Sequence, residues 1–225
     1  MKKALNEATL VAGLKLIREN CPRLVASCYW AGTSAIALEE LHHRRSFDLD
    51  FHTRLAHQST APLLEEIRAA FPGAFRLLQT PDAFGSGFQG ILMLEDGVEV
   101  AIEVLSNFEQ AEPEDMRQAK TVQGVMRVSL ERYLADKIQC VAERMEARDL
   151  VDIQAVLSHM PVLQDLARRI LREQDALILA ERLLSWTDKA LADDLVAYPD
   201  VNPVDARKAR DWLSRELKTS TGEDV

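Results

Sequence analysis

The chain has 225 residues, of which 47% are hydrophobic and 28% are charged, so it is long enough to bury one large core or two small ones. Its 36 acidic side chains outnumber its 27 basic ones and give a formal net charge of -9. This balance argues against a general nucleic-acid-binding protein, because no basic surplus is present to neutralise a phosphate backbone.

The three cysteines have no paired spacing, which argues against a disulfide framework and a zinc site and indicates a reducing compartment. Asn6 and Glu7 interrupt any apolar core of a signal peptide. The longest apolar runs fall well short of the roughly 18 residues that a membrane span needs. We therefore expect a soluble, cytoplasmic protein with no membrane segment.

The first part of the chain mixes helix and strand patterns. The patterns predict, in chain order, a helix capped by Asn6 and running to about residue 20, a buried strand over 24–30, a glycine turn leading into a short helix to about residue 41, a strand over 47–52, a helix over 60–71, and strands over 88–94 and 98–105. The turn Glu95-Asp96-Gly97 joins the last two strands as a hairpin. Residues 106–124 are polar and predict no element, and 125–128 resemble a short strand.

The remainder of the chain has a helical period throughout. We predict helices over 130–145, 148–159, 162–173, 176–189 and 205–218. The expected architecture is α+β, with a mixed sheet and flanking helices over residues 1–128 and a C-terminal helical bundle over residues 129–225.

Two carboxylates stand out in the predicted strand 47–52. Asp48 and Asp50 are two residues apart and project to one face, while Phe47, Leu49 and Phe51 project to the other. Adjacent carboxylates repel unless a cation lies between them, and hard oxygen ligands suit Mg²⁺ in the company of substrate phosphates. The alternative interpretation is an ordinary solvated strand face.

A third carboxylate lies in the predicted strand 98–105. Alternation places Glu99 and Glu103 on one face of this strand. If it lies beside the strand of Asp48, Glu103 joins the cluster, and three carboxylates around two metals would clamp a phosphoryl-transfer reaction. For Glu99 we prefer a solvated sheet face.

The turn Gly32-Thr33-Ser34 lies between a predicted strand and the start of a helix. Glycine lets a phosphate approach the backbone, and free amides at a helix start favour an anion. Turns of this kind are common, so a purely structural turn is the alternative.

Taken together, the stretch AGTSAIALEELHHRRSFDLDF resembles the AbiEii-type nucleotidyl transferase toxins, within the DNA polymerase β-like nucleotidyltransferase superfamily. The family pattern is roughly G-G-T-A, an apolar helix, then H-R-x-S-x-D-x-D-F. This chain departs from it at Ala31, Ser34 and His42. No metal ligand is lost, although Ala31 leaves less room at the phosphate turn.

A downstream segment is similar to the family's K, apolar helix, R-x-x-x-R-D-x-x-D pattern. It places Lys137 on one helix and Asp149 and Asp152 on the next, three residues apart on one face. Lys137 would reach a triphosphate or be a solvated lysine. The aspartates would assist the reaction or form a cap and a salt-bridge network with Arg144 and Arg148.

The resemblance implies a nucleotidyltransferase that moves a nucleoside monophosphate from a nucleoside triphosphate to an acceptor hydroxyl, on an RNA 3′ end such as that of tRNA or on a protein. It implies a toxin with a cognate antitoxin. The implied site has Asp48, Asp50 and Glu103 as ligands of Mg²⁺ or Mn²⁺, Gly32, Thr33, Arg44, Ser46 and Lys137 as nucleotide-binding residues, and Asp149 and Asp152 as further catalytic residues. The alternative is a catalytically weak nucleotide-binding or regulatory module with the same fold.

Overall fold

The computed structural model of the chain describes residues 6–144 and 146–221. It divides into two compact units, with the boundary between Ser129 and Leu130. Residue 145, where a predicted helix ends, lies outside the described residues. No helix in the described part of the chain is both long enough and apolar enough to cross a bilayer.

In its described residues, the first unit combines four α-helices with seven strands. Its α-helices are α1 (Glu7–Asn20), α2 (Pro22–Ser27), α3 (Gly32–Ile36) and α4 (Ala61–Ala70). A π-helix (Ala37–Leu41) continues α3, and a 3-10 turn spans Pro113–Asp115. The strands are β1 (Cys28–Ala31), β2 (Asp48–Ala56), β3 (Phe75–Gln79), β4 (Gly87–Met93), β5 (Glu99–Asn107), β6 (Met116–Gln118) and β7 (Met126–Val128).

All seven strands form one mixed sheet in the order β3-β4-β5-β2-β1-β7-β6. β2 lies between β1, to which it is antiparallel, and β5, to which it is parallel. β4 and β5 form the predicted antiparallel hairpin. The α+β fold with a mixed sheet and flanking helices is therefore confirmed.

One face of the sheet is core. Leu49 of β2 and Val100 of β5 are fully buried, and Gly13 of α1 packs against both, so closely that a Cβ there would lie 3.4 Å from Leu49 and 3.6 Å from Val100. The opposite face of β2 carries the half-buried Asp48 and Asp50. Phe47 precedes the strand and is 47% exposed, so it does not share the burial of Leu49 and Phe51.

The predicted strand over 24–30 begins only at Cys28, because residues 22–27 form α2. Pro22 is a favoured first helical residue. The carboxylate of Glu66, from α4, accepts the backbone N–H groups of Arg23 and Leu24 at 2.9 and 2.8 Å. A cap from a distant part of the chain thus satisfies the helix start, and a short apolar run does not by itself distinguish strand from helix.

The second unit is helical in its described residues. Its α-helices are α5 (Leu130–Glu143), α6 (Ala147–His159), α7 (Gln164–Glu173), α8 (Ala176–Ser185), α9 (Asp188–Asp194) and α10 (Pro203–Thr221). The 3-10 turns are Pro161–Leu163 and Leu195–Ala197. The predicted helix over 176–189 is divided in two, because Thr187 caps a new helix by accepting the N–H of Ala190 at 3.1 Å.

Candidate active site

The strand register brings two of the predicted carboxylates together. Asp50 of β2 is paired with Glu103 of β5 on one side and with Ala31 of β1 on the other. Paired residues on neighbouring strands share a face and lie about 4.8 Å apart. Asp48 is two residues before Asp50 on the same face and is paired with Ala101. Asp48, Asp50 and Glu103 therefore form one group, which we call the acidic row.

Neutral donors hold two members of the acidic row. The Ser46 hydroxyl donates to Asp48 Oδ1 at 2.6 Å, and the side-chain amide of Gln89 donates to Glu103 Oε1. A hydrogen bond from a neutral donor stabilises an ionised carboxylate without bringing a positive charge. Neither donor therefore neutralises the carboxylate that it holds.

Gly32 lies directly against the acidic row. Its φ of +68° is in the left-handed region, and a Cβ at this position would lie 1.9 Å from Asp50 Oδ2. Any side chain would therefore be strained and would displace the Asp50 carboxylate. The glycine turn and the D-x-D strand are consequently in direct contact.

Two predicted nucleotide-binding residues contact each other beside this turn. Arg44 Nη2 donates to Thr33 Oγ1 at 2.7 Å, and the two residues are only 8% and 6% exposed. The next residue, Ser34, accepts the indole N–H of Trp30 at 2.9 Å. These contacts fix the backbone that follows Gly32.

A clamp that the sequence did not indicate supports the same segment. Glu39, in the π-helix, is 6% exposed and accepts the backbone N–H groups of Lys120 and Thr121 at 2.6 and 2.9 Å. Arg127 of β7 donates to the neighbouring Glu40. A glutamate in an amphipathic stretch gives no sequence signal of such a role.

Gln89 was also missed, although the tight turn at 95–97 fixes the hairpin register that places it opposite Glu103.

The donor set of the acidic row suits a divalent cation that arrives with a nucleotide. In residues 6–144 and 146–221, no three His, Cys, Asp or Glu side chains are arranged as a complete metal cluster. Mg²⁺, however, is commonly bound by one or two carboxylates together with substrate phosphates and water. Asp48 and Asp50 supply two such carboxylates on a rigid strand, and Gly32 adds no side chain of its own beside Asp50.

The remaining predicted residues meet in the second unit. Lys137 Nζ of α5 lies 2.8 Å from Asp149 Oδ1 and 2.9 Å from Asp152 Oδ2, both of α6. Arg144 adds two hydrogen bonds to Asp149, at 3.0 and 3.1 Å. Both aspartates are fully buried and Lys137 is 7% exposed. These four residues, two cations and two anions, form what we call the buried ion cluster.

Arg148 takes no part in the observed ion pairs of Asp149. Its guanidinium donates hydrogen bonds to the Glu146 carboxylate at 2.7 Å and to the Tyr198 hydroxyl at 2.9 Å. Of the two arginines in the predicted salt-bridge network, Arg144 is the one that contacts Asp149.

Comparison with known proteins supports the fold and gives the family. The family model for the AbiEii nucleotidyl transferase toxin of type IV toxin–antitoxin systems matches residues 32–220. JHP933 from Helicobacter pylori is similar in structure, with a TM-score of 0.58 and 19% identity over 97% of each chain. The nucleotidyltransferase toxin MenT4 from Mycobacterium tuberculosis H37Rv has a TM-score of 0.55 and 16% identity, over 97% of this chain and 86% of its own.

These two structural similarities show a shared fold, and no curated protein sequence matches the chain. The family match extends from the glycine turn through the D-x-D strand and the buried ion cluster almost to the end of α10. It makes the protein a nucleotidyltransferase enzyme. The chain belongs to the AbiEii family of nucleotidyltransferase toxins.

Proposed function

We propose that this enzyme transfers a nucleoside monophosphate from a nucleoside triphosphate to an acceptor hydroxyl, with Mg²⁺ or Mn²⁺ as cofactor. The observation that carries the proposal is the contact of the Gly32 turn with Asp50, in register with Glu103 and two residues from Asp48. It combines a glycine turn of the kind that admits phosphate with carboxylates of the kind that hold a divalent cation.

In the proposed reaction, the acceptor hydroxyl attacks the α-phosphorus in line. The hydroxyl proton passes to water as a new P–O bond forms, the bond from the α-phosphorus to the bridging oxygen breaks, and pyrophosphate leaves with that oxygen. When bound by Asp48, Asp50 and Glu103, the cation would offset the charge of the triphosphate. Ser46 keeps Asp48 oriented, and Arg44 fixes the turn through Thr33. Such reactions depend on positioning and charge neutralisation.

For the buried ion cluster we propose two roles. The family motif supports Lys137 as a point charge for the triphosphate and one of Asp149 and Asp152 as a residue that orients the acceptor. The ion pairs of Lys137 with both aspartates support a second role, which is to hold α5 against α6. Measuring folding and turnover separately in each variant distinguishes the two roles.

The acceptor is proposed to be an RNA 3′ end, such as that of tRNA, or a protein hydroxyl. The net charge of -9 argues against a long nucleic acid that binds along the protein surface as the acceptor. Membership of a type IV toxin family supports a cognate antitoxin, which would counteract the toxin in the cytoplasm.

The test is incubation with each of the four α-labelled nucleoside triphosphates, Mg²⁺ and a host lysate. We expect a labelled band for at least one triphosphate, and its sensitivity to ribonuclease or to protease identifies the acceptor class. Asp48→Asn should abolish the band. Glu99→Gln, which neutralises an exposed carboxylate on the same face of β5 as Glu103, should leave it unchanged.

Metal dependence is tested independently by thermal denaturation. A triphosphate that binds the native state raises the unfolding midpoint, and we expect this only when Mg²⁺ or Mn²⁺ is present. No labelled product and no metal-dependent shift with any of the four triphosphates would contradict the proposed function.

A further inference from the structure

We infer that Gln89 is a positioning residue that holds the Glu103 carboxylate beside Asp50 for cation binding. The inference rests on the proposed function and deepens it, because it explains how the third carboxylate of the acidic row is fixed. Gln89 lies on β4, outside every motif that the family pattern includes.

The geometry is a straight line of paired residues across four strands. Ala31 of β1, Asp50 of β2, Glu103 of β5 and Gln89 of β4 are successive register partners. At one end of the line is a methyl group. At the other end is an amide, which donates to Glu103 Oε1.

Electrostatics explains why this amide matters. Asp50 and Glu103 are both acidic and directly paired, so their charges repel and favour rotamers that separate them. A glutamate side chain also has several rotatable bonds, whose freedom opposes any single orientation. The Gln89 hydrogen bond offsets both effects at Glu103. Because Gln89 occupies one carboxylate oxygen, the other remains available to a cation.

The charge of the donor is equally important. A lysine or arginine at position 89 would neutralise Glu103 and take the place of the cation. The amide of Gln89 is neutral, so it orients the carboxylate and leaves its charge uncompensated. Outer residues that orient metal ligands in this way typically contribute about 10–100-fold to metal affinity.

The same strand pair provides an internal comparison. Met93 lies on β4 two side chains further along the same face and is paired with Glu99. It is 48% exposed, and its thioether has no hydrogen to donate. Both positions face a glutamate on β5, but only position 89 presents a hydrogen-bond donor to it. Position 93 is therefore a matched control.

The experiment measures the Mn²⁺ concentration that half-saturates the full-length enzyme, by water-proton relaxation at a saturating concentration of the α,β-methylene triphosphates. The variants are Gln89→Met, Glu103→Gln, the double variant and the control Met93→Gln. We expect Gln89→Met to raise the half-saturating concentration by about 10-fold and Met93→Gln to leave it unchanged. The double variant should match Glu103→Gln, because Gln89 acts only through Glu103.

Two results would overturn the inference. One is wild-type Mn²⁺ binding in Gln89→Met. The other is an equal further loss when Gln89→Met is added to Glu103→Gln, since Gln89 would then act independently. Unchanged thermal midpoints of the metal-free variants exclude misfolding as the cause. Asp50→Asn distinguishes failure of this inference from failure of the proposed function. If this variant binds Mn²⁺ like the wild type, the proposed function itself is wrong.

Discussion

Replacing Lys137 by methionine tests the structural role of the buried ion cluster. Methionine keeps most of the length of the lysine side chain and removes its charge. The change takes away the ammonium group that contacts Asp149 at 2.8 Å and Asp152 at 2.9 Å, two carboxylates with no exposed surface. Arg144 continues to contact Asp149, but the cluster then has two negative charges for one positive charge.

The magnitude follows from burial. Removing one partner of a buried ion pair typically costs about 3–5 kcal/mol, because the remaining charge has lost its compensation. For a chain of this size each kcal/mol lowers the unfolding midpoint by about 2–4 °C, so we expect a decrease of roughly 6–20 °C. The matched control is Arg132→Met on the same helix. Arg132 forms an i,i+4 pair with Asp136 at 2.9 Å, with side chains 24% and 28% exposed, and its loss should cost less than about 1 kcal/mol.

The assay is thermal denaturation of both variants without nucleotide or metal, followed by far-UV circular dichroism. Omitting the nucleotide separates the stability effect from any loss of triphosphate binding. A Lys137→Met midpoint within 2 °C of the wild type, and no lower than that of Arg132→Met, would refute the view that Lys137 holds α5 against α6.

Three further predictions concern the glycine turn, the thiols and a surface ion pair. Gly32→Ala places a Cβ 1.9 Å from Asp50 Oδ2 and should reduce turnover at saturating triphosphate by about 100-fold. The control Gly73→Ala has a similar φ of +76° and nothing within 4 Å of the added Cβ, so its turnover should be unchanged. Equal turnover in the two variants would contradict the close contact. Burial raises the pKa of the free thiols of Cys21 and Cys28 to about 12. Iodoacetamide at pH 8 should therefore leave both thiols unmodified in the native protein and label them in urea, as measured by mass spectrometry. Rapid labelling of the native protein would contradict this prediction. Hydrogen bonds from Arg210 and then Arg207 lower the pKa of Asp188, so its contribution to stability is present above its unfolded-state pKa and is lost as the pH falls through the folded value. Urea denaturation should therefore show Asp188→Asn to be less stable than the wild type at pH 7, with a difference that shrinks steadily as the pH is lowered below about 4. A pH-independent difference would exclude this linkage.

The elements that the sequence predicted correctly are those with strong local signals. Asn6 caps α1 by accepting the N–H of Thr9 at 3.0 Å, and the alternation of apolar and polar residues identified β2 and β5. The start of α2 depends on Glu66, 42 residues further along the chain from Leu24, so no local pattern contains it. The strands β3 and β6 were missed because each is short and lies at an edge of the sheet, where one partner suffices.

The site shows the same division between local and distant information. The shared face of Asp48 and Asp50 follows from a two-residue spacing alone. Their relation to Glu103 needed the parallel pairing of β2 and β5, which are joined by more than 40 residues. The contact of Gly32 with Asp50 depends on the antiparallel register of β1 with β2. Because the sheet order is set by long-range packing, the sequence indicated the chemistry of these residues but not their neighbours.

The position of β5 within the sheet has a consequence for how the protein is made. β5 lies between β4 and β2, so it joins the β3–β4 hairpin to the β1–β2 pair. A nascent chain that has emerged as far as Met93 contains the strands of both pairs but lacks the strand that connects them. The edge of β2 that pairs with β5 in the folded protein then has no partner strand and is open to other chains. At typical synthesis rates the roughly 50 residues from the end of β2 to the end of β5 take several seconds. The acidic row is therefore completed late in synthesis, because Glu103 is made several seconds after Asp48 and Asp50.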